Sequence, residues 1–300
     1  MLIAVVGATT AGKSDLAVDL ALELGGEVIN ADSMQLYKGM DIGTAKLTQA
    51  ERRGVPHHLL DVWDVTQAAS VAEYQDLADS VIANIEKRDK VPVLVGGSGL
   101  YIRAALGELD FPGTDEAIRE RLEAELAKQG PGPLYELLRI QDPVAAANIL
   151  PSNGRRIVRA LEVIELSGRP FSATMPGYDG GRPAIQLGVQ VDRAELDRRI
   201  EARVDRMWAA NFEAEVRHLA AHGLRDGKTA SRALGYQQML RHLDGELTLD
   251  EARDETARAT RRFARRQESW FRRDPRVRWL GPGEGLLARA MTEIAARTSS

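Results

Sequence analysis

Apolar and polar residues alternate along the first hundred positions in blocks that predict a repeated strand–helix order. The apolar run 2–6 has the length of a buried strand, and 15–24 follows it with the spacing of an amphipathic helix. Short runs with apolar and β-branched residues predict further strands at 27–30, 58–61 and 91–95. Such alternation is typical of a parallel sheet that carries helices on both faces.

The pattern changes near residue 112. From 112 to 182 the apolar spacing is helical, and strand signals are almost absent. Thr114 and Asn153 precede two of these helical patterns, and each side-chain oxygen can accept a hydrogen bond from a free amide of the first turn. The segment is therefore predicted to be an all-helical insertion.

After the insertion, a strand pattern at 185–191 and helical patterns up to Phe271 resume the α/β order, and 276–280 predicts a last strand. The core domain should therefore consist of 1–111 and 183–300. No apolar stretch reaches the roughly 20 residues that a membrane-spanning helix needs. A chain that opens on a core strand also gives no sign of a signal peptide, so we expect a cytoplasmic protein with no membrane association.

The loop between the first strand and the first helix carries the motif G-x-x-x-x-G-K-[ST] at 7–14. A strand before this motif and a helix after it are the context of a phosphate-binding P-loop. Backbone amides at the helix N-terminus favour an anion, Lys13 adds positive charge, and the Ser14 hydroxyl can ligate Mg²⁺. The predicted fold is thus a P-loop NTPase-like α/β core, and the chain should bind a di- or triphosphate. The residues expected to contact it are Gly7, Ala8, Thr9, Thr10, Ala11, Gly12, Lys13 and Ser14.

Other polar groups follow predicted strands: Asp32, Asp61 and the turn 96–98. Because ligands of parallel sheets bind at the carboxyl ends of the strands, we expect these groups to converge on the P-loop. Either aspartate could supply the acidic residue that P-loop enzymes place beside Mg²⁺, although Asp32 could simply cap the next turn. The glycine-rich turn could be an ordinary turn or could bring Ser98 close to the phosphates.

Charge is distributed unevenly. Residues 1–150 carry 13 Lys and Arg against 23 Asp and Glu, whereas 151–300 carry 27 against 21. Arginines cluster at 155–159 and again at 258–273, with few acidic residues alongside. Solvated helix faces would explain such runs, but an excess of positive charge also favours a nucleic acid partner. The absence of cysteine excludes disulfides and thiolate metal sites.

Together these segments resemble the tRNA dimethylallyltransferase family of bacterial type, also called isopentenyl-tRNA transferases. Besides the P-loop, the most specific match is the run 30–46, Asn-Ala-Asp-Ser-Met-Gln-Leu-Tyr-Lys-Gly-Met-Asp-Ile-Gly-Thr-Ala-Lys. Further matches lie at 56–61, 96–101, 155–168, 232–237 and 265–272. The resemblance therefore extends from Leu2 to about Leu280.

The resemblance implies transfer of a dimethylallyl group from dimethylallyl diphosphate to the exocyclic amine of the adenine 3′-adjacent to the anticodon of tRNA. It implies Mg²⁺ as cofactor, the anticodon stem-loop as the bound RNA and no consumption of ATP. We expect a monomer. Catalytic roles would fall to Asp32, Lys13, Ser98 and Arg203, with Asp32 taking the amine proton. The residues implied to contact tRNA are Asp32, Ser33, Met34, Gln35, Ser98, Arg121, Arg155, Arg156, Arg159, Arg232, Gln237, Arg265, Arg266, Gln267 and Arg272.

Two positions depart from the family pattern, because Ser98 replaces the usual Thr and Asn211 stands where many members have Gly. Two alternative functions stay open. An ATP-dependent small-molecule kinase of the nucleotide or shikimate type would share the P-loop but should carry phosphate-clamping arginines in its lid. A non-catalytic RNA-binding protein is disfavoured by the intact Lys13, Ser14 and Asp32.

Overall fold

The computed structural model describes residues 1–174, 178 and 180–298. Its sheet has the strand order β3-β2-β4-β1-β5-β6, and all neighbouring strands are parallel. The strands are β1 (Leu2–Gly7), β2 (Glu27–Asn30), β3 (His57–His58), β4 (Pro92–Gly96), β5 (Ala184–Val189) and β6 (Arg278–Leu280). The predicted α/β class with a parallel sheet is confirmed.

Most of the remaining regular structure is helical. The α-helices are α1 (Lys13–Leu24), α2 (Val71–Lys87), α3 (Gly99–Ala105), α4 (Glu116–Gln129), α5 (Pro131–Gln141), α6 (Pro143–Asn148), α7 (Gly154–Ser167), α8 (Arg193–Ala209), α9 (Phe212–Ala221), α10 (Tyr236–Leu243), α11 (Leu249–Phe271) and α12 (Leu286–Thr298). Short 3₁₀ turns occupy Phe171–Thr174, Leu224–Asp226 and Ala230–Arg232.

Helices cover both faces of the sheet. On one face, Ile3 and Val5 of β1 join a buried cluster with residues of α1 and α12, including Leu16 and Ile294. The other side chains of β1 alternate to the opposite face, where α2 and α11 contact the sheet. Every residue of β1 is buried, which explains why its sequence is an uninterrupted apolar run.

The chain divides into two compact units: Met1–Leu106 with Pro183–Ser300, and Gly107–Arg182. The second unit contains α4 to α7, and its core includes Leu122, Leu138 and Ile157. The sequence placed the start of the insertion at 112, and the compact unit also includes 107–111. Four of the residues implied to contact tRNA, Arg121, Arg155, Arg156 and Arg159, lie in this unit, and a tRNA-binding role for it stays a prediction.

Two predicted boundaries are corrected by the structure. The N-cap of α4 is Asp115 and not Thr114, because the Asp115 carboxylate accepts a hydrogen bond from the Ile118 amide at 3.0 Å. The strand predicted at 58–61 is only β3, because Leu59 and Asp61 have φ values of 59° and 56°, which no strand residue adopts. Asn153 caps α7 as predicted.

A buried carboxylate fixes one end of the sheet. Glu27 begins β2, is 6% exposed and bonds Arg88 Nη2 and His58 Nε2, each at 2.7 Å. The hydrogen bond from Arg88 is the largest cause that lowers the Glu27 pKa, to about 2, and His58 adds to it. The ionised form of Glu27 is therefore stabilised in the folded state.

We expect Glu27→Gln to lower the free energy of unfolding at neutral pH by about 1.5–3 kcal/mol, the range for hydrogen bonds to charged groups. Because the folded pKa lies below the unfolded value, this contribution exists above about pH 4.5 and disappears as the pH falls towards 2. Thermal melts of both proteins across this range should therefore converge at low pH. Glu86→Gln, at an exposed position of α2, is the control, and a difference that persisted at pH 2 would contradict the assignment.

Candidate active site

A cavity of about 650 Å³ opens at the carboxyl ends of β1, β2 and β4. Its walls come from the P-loop, the residues after β2, the segment 41–51, the end of β4 and helix α8. Its polar lining residues include Thr9, Thr10, Lys13, Ser14, Asn30, Asp32, Gln35, Asp41, Lys46, Arg199, Arg203 and Arg206. All of them belong to the first compact unit.

The P-loop turns sharply from β1 into α1. Gly7 has a φ of 141°, and a Cβ there would lie 2.8 Å from the Val189 carbonyl oxygen of β5. Gly12 caps α1 at φ 93°, and Thr10 has a φ of 61°. The Lys13 ammonium folds back over the loop and donates to the Ala8 carbonyl at 2.6 Å. The loop therefore surrounds the N-terminus of α1, where the dipole and free amides attract an anion.

Thr9 is held from two sides by residues distant in sequence. Its amide donates to Gln267 Oε1 of α11 at 2.9 Å, and its hydroxyl accepts a hydrogen bond from Arg203 Nη1 of α8 at 2.6 Å. Gln267 Nε2 donates in turn to the Gly97 carbonyl at 2.9 Å. Gln267 was expected to contact tRNA, but it is only 5% exposed and both ends of its amide bind inside the protein. It joins the P-loop to the glycine turn after β4.

The cavity brings two cations close to one carboxylate. Burial lowers the pKa of Lys13 to about 8, with Asp32 opposing this shift and Arg203 adding to it. Burial also lowers the pKa of Arg203, and Asp32 again opposes the shift. Asp32 Oδ1 accepts a hydrogen bond from the Met34 amide at 2.9 Å, whereas no hydrogen bond within the described residues engages Oδ2. Asp32 thus both caps the following turn and presents a free oxygen in the cavity.

The other predicted strand-end groups do not all line the cavity. Gln35 does, and its amide donates to the Thr44 carbonyl at 3.1 Å. Asp61 does not, because its carboxylate is bound to Lys46 Nζ at 2.6 Å. Ser98 caps α3 by position, is half-buried and directly follows Gly97, a lining residue. Ser33 and Met34 are half-buried beside Asp32.

Arginines on the first unit are largely at its surface. Arg265 and Arg266 are exposed on α11, and Arg272 follows it with its guanidinium 4.9 Å from the Trp279 ring centre. Arg232 and Gln237 are exposed near the start of α10. These side chains are accessible, and their contact with tRNA stays a prediction.

The four predicted arginines of the second unit differ in exposure and in their partners. Arg155 and Arg156 are exposed on α7, with no ion pair among the described residues. Arg159 is half-buried and donates to the fully buried Glu162 at 3.0 Å and to the Gly113 carbonyl at 2.8 Å. Arg121 pairs with Glu125 at 3.1 Å and with Glu165. Arg155 and Arg156 are therefore the residues of this set best able to bind phosphate.

Sequence reasoning missed Arg199, Arg206 and Lys46, all of which line the cavity. Arg199 and Arg206 precede and follow Arg203 by one helical turn, so the helical period of α8 could have identified them. Lys46 is buried and binds Asp41 and Asp61, each at 2.6 Å, as well as the Tyr37 carbonyl at 3.0 Å. Lys46 belongs to the family-specific run, but its residue type alone did not reveal this role.

The described residues contain no group of three or more His, Cys, Asp or Glu side chains arranged to hold a metal ion. Ser14 and Asp32 nevertheless offer oxygen donors in the same cavity. Mg²⁺ commonly takes one or two protein ligands together with substrate phosphate oxygens and water. The residues present therefore fit Mg²⁺ better than a metal that needs a full protein cage.

A P-loop, two half-buried cations and a carboxylate in one cavity are typical of P-loop α/β enzymes that bind phosphorylated substrates. A family model described as IPP transferase matches residues 35–274, so the chain belongs to the IPP transferase family. The resemblance to this family that the sequence indicated is therefore confirmed. Across the described residues, every helix is too short or too polar to cross a bilayer.

Relatives and solved structures agree with this assignment. A Streptomyces coelicolor protein named tRNA dimethylallyltransferase is 67% identical over 281 residues, 94% of this chain and 90% of that protein. The crystal structure of a tRNA isopentenylpyrophosphate transferase from Bacillus halodurans is 41% identical with a TM-score of 0.71, covering 99% of this chain and 95% of that one. A eukaryotic dimethylallyltransferase acting on tRNA is 25% identical with a TM-score of 0.79, covering 99% and 77%.

Because the Lys13 pKa is about 8, we expect affinity for dimethylallyl diphosphate, measured without tRNA, to fall as the pH rises above this value. The ammonium form attracts the diphosphate, and a pKa lowered from 10.5 moves its loss of charge into this window. Lys13→Ala should bind at least about tenfold more weakly, since a buried charge-assisted contact is lost.

Calorimetric titrations between about pH 7 and 9.5, a window around the shifted value, measure both effects. The Lys13→Ala protein should show no loss of affinity through this window. Lys38→Ala removes an exposed lysine outside the cavity and should retain the wild-type profile. The same pH dependence in wild type and Lys13→Ala would exclude Lys13 as its source.

Proposed function

We propose that this chain transfers a dimethylallyl group from dimethylallyl diphosphate to the exocyclic amine of the adenine 3′-adjacent to the anticodon of tRNA. Family membership and the names of the relatives support the reaction class. The observation that carries the proposal is the cavity itself, which Lys13 of the P-loop and Arg203 of α8 both line and where Asp32 presents a free carboxylate oxygen. Such a site combines an anion receptor with a proton acceptor.

The P-loop side of the cavity would hold the diphosphate. As the bond between the allylic carbon and the bridging oxygen breaks, negative charge builds on diphosphate, and preorganised cations and amides stabilise it. Lys13 and Arg203 supply those cations, and Thr9 fixes Arg203 against the loop. Mg²⁺ held through Ser14 would add Lewis-acid neutralisation of the phosphate oxygens.

The remaining cavity offers room for the other reactants. Its volume of about 650 Å³ lies within the usual range for small-molecule sites. Ile42, Leu47 and Met207 contribute apolar lining suited to a prenyl group. A base that reacts in such a cavity must leave its stack, as in other base-modifying enzymes.

Asp32 would act as the proton acceptor. The adenine amine nitrogen attacks the allylic carbon, the carbon–oxygen bond to diphosphate breaks, and the amine proton passes to Asp32 Oδ2. The hydrogen bond from the Met34 amide orients the Asp32 carboxylate. We also propose that the enzyme is a cytoplasmic monomer. Both properties are predictions from the sequence.

We expect Asp32→Asn to slow transfer by roughly 10²–10⁴-fold, the usual contribution of a positioned proton acceptor, with little change in tRNA affinity. Asn keeps the shape and the hydrogen bond to Met34 but cannot take the proton. Single-turnover transfer from labelled dimethylallyl diphosphate to tRNA measures this effect, and ATP is tested as a competing donor. Asp64→Asn, an exposed aspartate outside the cavity, is the control. An Asp32→Asn enzyme with more than half of the wild-type rate, or product formation coupled to ATP hydrolysis, would refute the proposal.

We also expect the α7 arginines to contact phosphates of tRNA. The double variant Arg155→Ala with Arg156→Ala should raise the KM for tRNA and reduce the slope of log affinity against log salt by about one per lost contact. The KM for dimethylallyl diphosphate should not change. Arg139→Ala, an exposed arginine of the same unit that pairs with Glu136, is the matched control. Equal salt slopes for all three proteins would assign the tRNA surface elsewhere.

A further inference from the structure

Glu215 lies on α9 and outside the cavity lining, yet its carboxylate holds one cavity wall. Oε2 accepts hydrogen bonds from the amides of Asp41 at 3.1 Å and Ile42 at 2.7 Å, and Oε1 accepts from the Gly43 amide at 3.2 Å. Tyr236 of α10 donates its hydroxyl to Oε1 at 2.6 Å. Four donors thus converge on one side chain, which was not among the residues expected from the sequence.

The packing around Gly43 holds the backbone of 41–43 close to Tyr236. A Cβ at Gly43 would lie 2.4 Å from the Tyr236 ring and 2.5 Å from the Phe212 ring, so the backbone contacts both rings directly. The two rings themselves pack edge to face at 5.0 Å. Burial, and then Glu215, raise the pKa of Tyr236 well above its usual value, so its hydroxyl remains a donor to the carboxylate.

The segment 41–43 connects the Glu215 carboxylate to the phosphate side of the cavity. The Gly43 carbonyl accepts a hydrogen bond from Arg203 Nη2 at 3.2 Å, while Arg203 Nη1 donates to the Thr9 hydroxyl at 2.6 Å. The guanidinium is therefore fixed between the loop and the P-loop. Without Glu215, the amides of 41–43 lose their acceptor, so the Gly43 backbone, and with it the carbonyl that binds Arg203, is less restrained.

We propose that Glu215 is a positioning residue that orients Arg203 towards the diphosphate by holding the amides of 41–43. The inference rests on the proposed function, in which Arg203 stabilises that diphosphate. Hydrogen bonds to a carboxylate are stronger than those between neutral groups, so three amides on one carboxylate restrain a loop effectively. Small displacements of a charged group from the developing charge cost large factors in rate, which gives this restraint a catalytic consequence.

Calorimetry with inorganic diphosphate and with dimethylallyl diphosphate tests the proposal without requiring turnover. Glu215→Ala should weaken binding of both by about tenfold, one charge-assisted contact, and leave the affinity for tRNA unchanged. Glu215→Gln should lose less, because its single carbonyl oxygen still accepts hydrogen bonds. Glu213→Ala changes the neighbouring glutamate of α9, which pairs with Arg217, and should bind as wild type does.

A double-mutant cycle with Arg203→Ala separates positioning from general stability. If Glu215 acts through Arg203, Glu215→Ala should change diphosphate affinity less than about twofold once Arg203 is already alanine. Full additivity, or a Glu215→Ala protein with wild-type affinity, would overturn the proposal. If Glu215→Ala does not fold, the same double-mutant cycle can be measured with Glu215→Gln and with Tyr236→Phe. Wild-type protein that binds neither diphosphate would instead refute the proposed function, so the two failures are distinguishable.

Discussion

Lys13 and Arg203 share one cavity, and keeping two positive charges together in a partly desolvated space is the constraint on which the site depends. Burial disfavours both charges, and Arg203 further disfavours the charge on Lys13, which is why the Lys13 pKa falls to about 8. Asp32 offsets only part of that cost. An entering diphosphate relieves the repulsion, so the energy spent in placing the cations favours anion binding. The same argument explains why a neutral substrate group would gain little here.

The scaffold that holds these charges is assembled from distant parts of the chain. Gln267 joins Thr9 to Gly97, and Arg203 joins Thr9 to Gly43, so α8 and α11 brace a loop near the N-terminus. The Gly7 backbone meets the Val189 carbonyl of β5 closely enough that a Cβ would collide with it. These contacts bring residues from both sides of the insertion together. The site can form only after β5 and the helices that follow it have packed on the first four strands.

Local sequence signals were sufficient for the sheet, the P-loop and the Asp32 position, because strand, loop and helix follow each other within a few residues. Local sequence signals were not sufficient where the structure depends on the direction of a side chain or on a single backbone angle. Gln267 lies among exposed arginines, and only the packing of α11 shows that it points inward. Similarly, β3 stops after two residues because Leu59 turns to a positive φ, which a run of apolar letters does not reveal. Asn211 is explained in the same way, since its φ of 64° suits Gly and, among other residues, Asn best.

In the run 30–46, the most specific part of the family resemblance, more residues have a structural role than a chemical one. Asp32 alone in it is proposed to react, whereas Lys46 ties Asp41 to Asp61 and Gly43 allows the loop to lie against Tyr236. Asp32 and Asp61 follow neighbouring strands, but Asp61 is bound to Lys46 and is therefore not available as the proton acceptor. In the proposed reaction the cavity admits a prenyl chain and one base of a large RNA, and the segment held by Glu215 and Lys46 forms one of its walls.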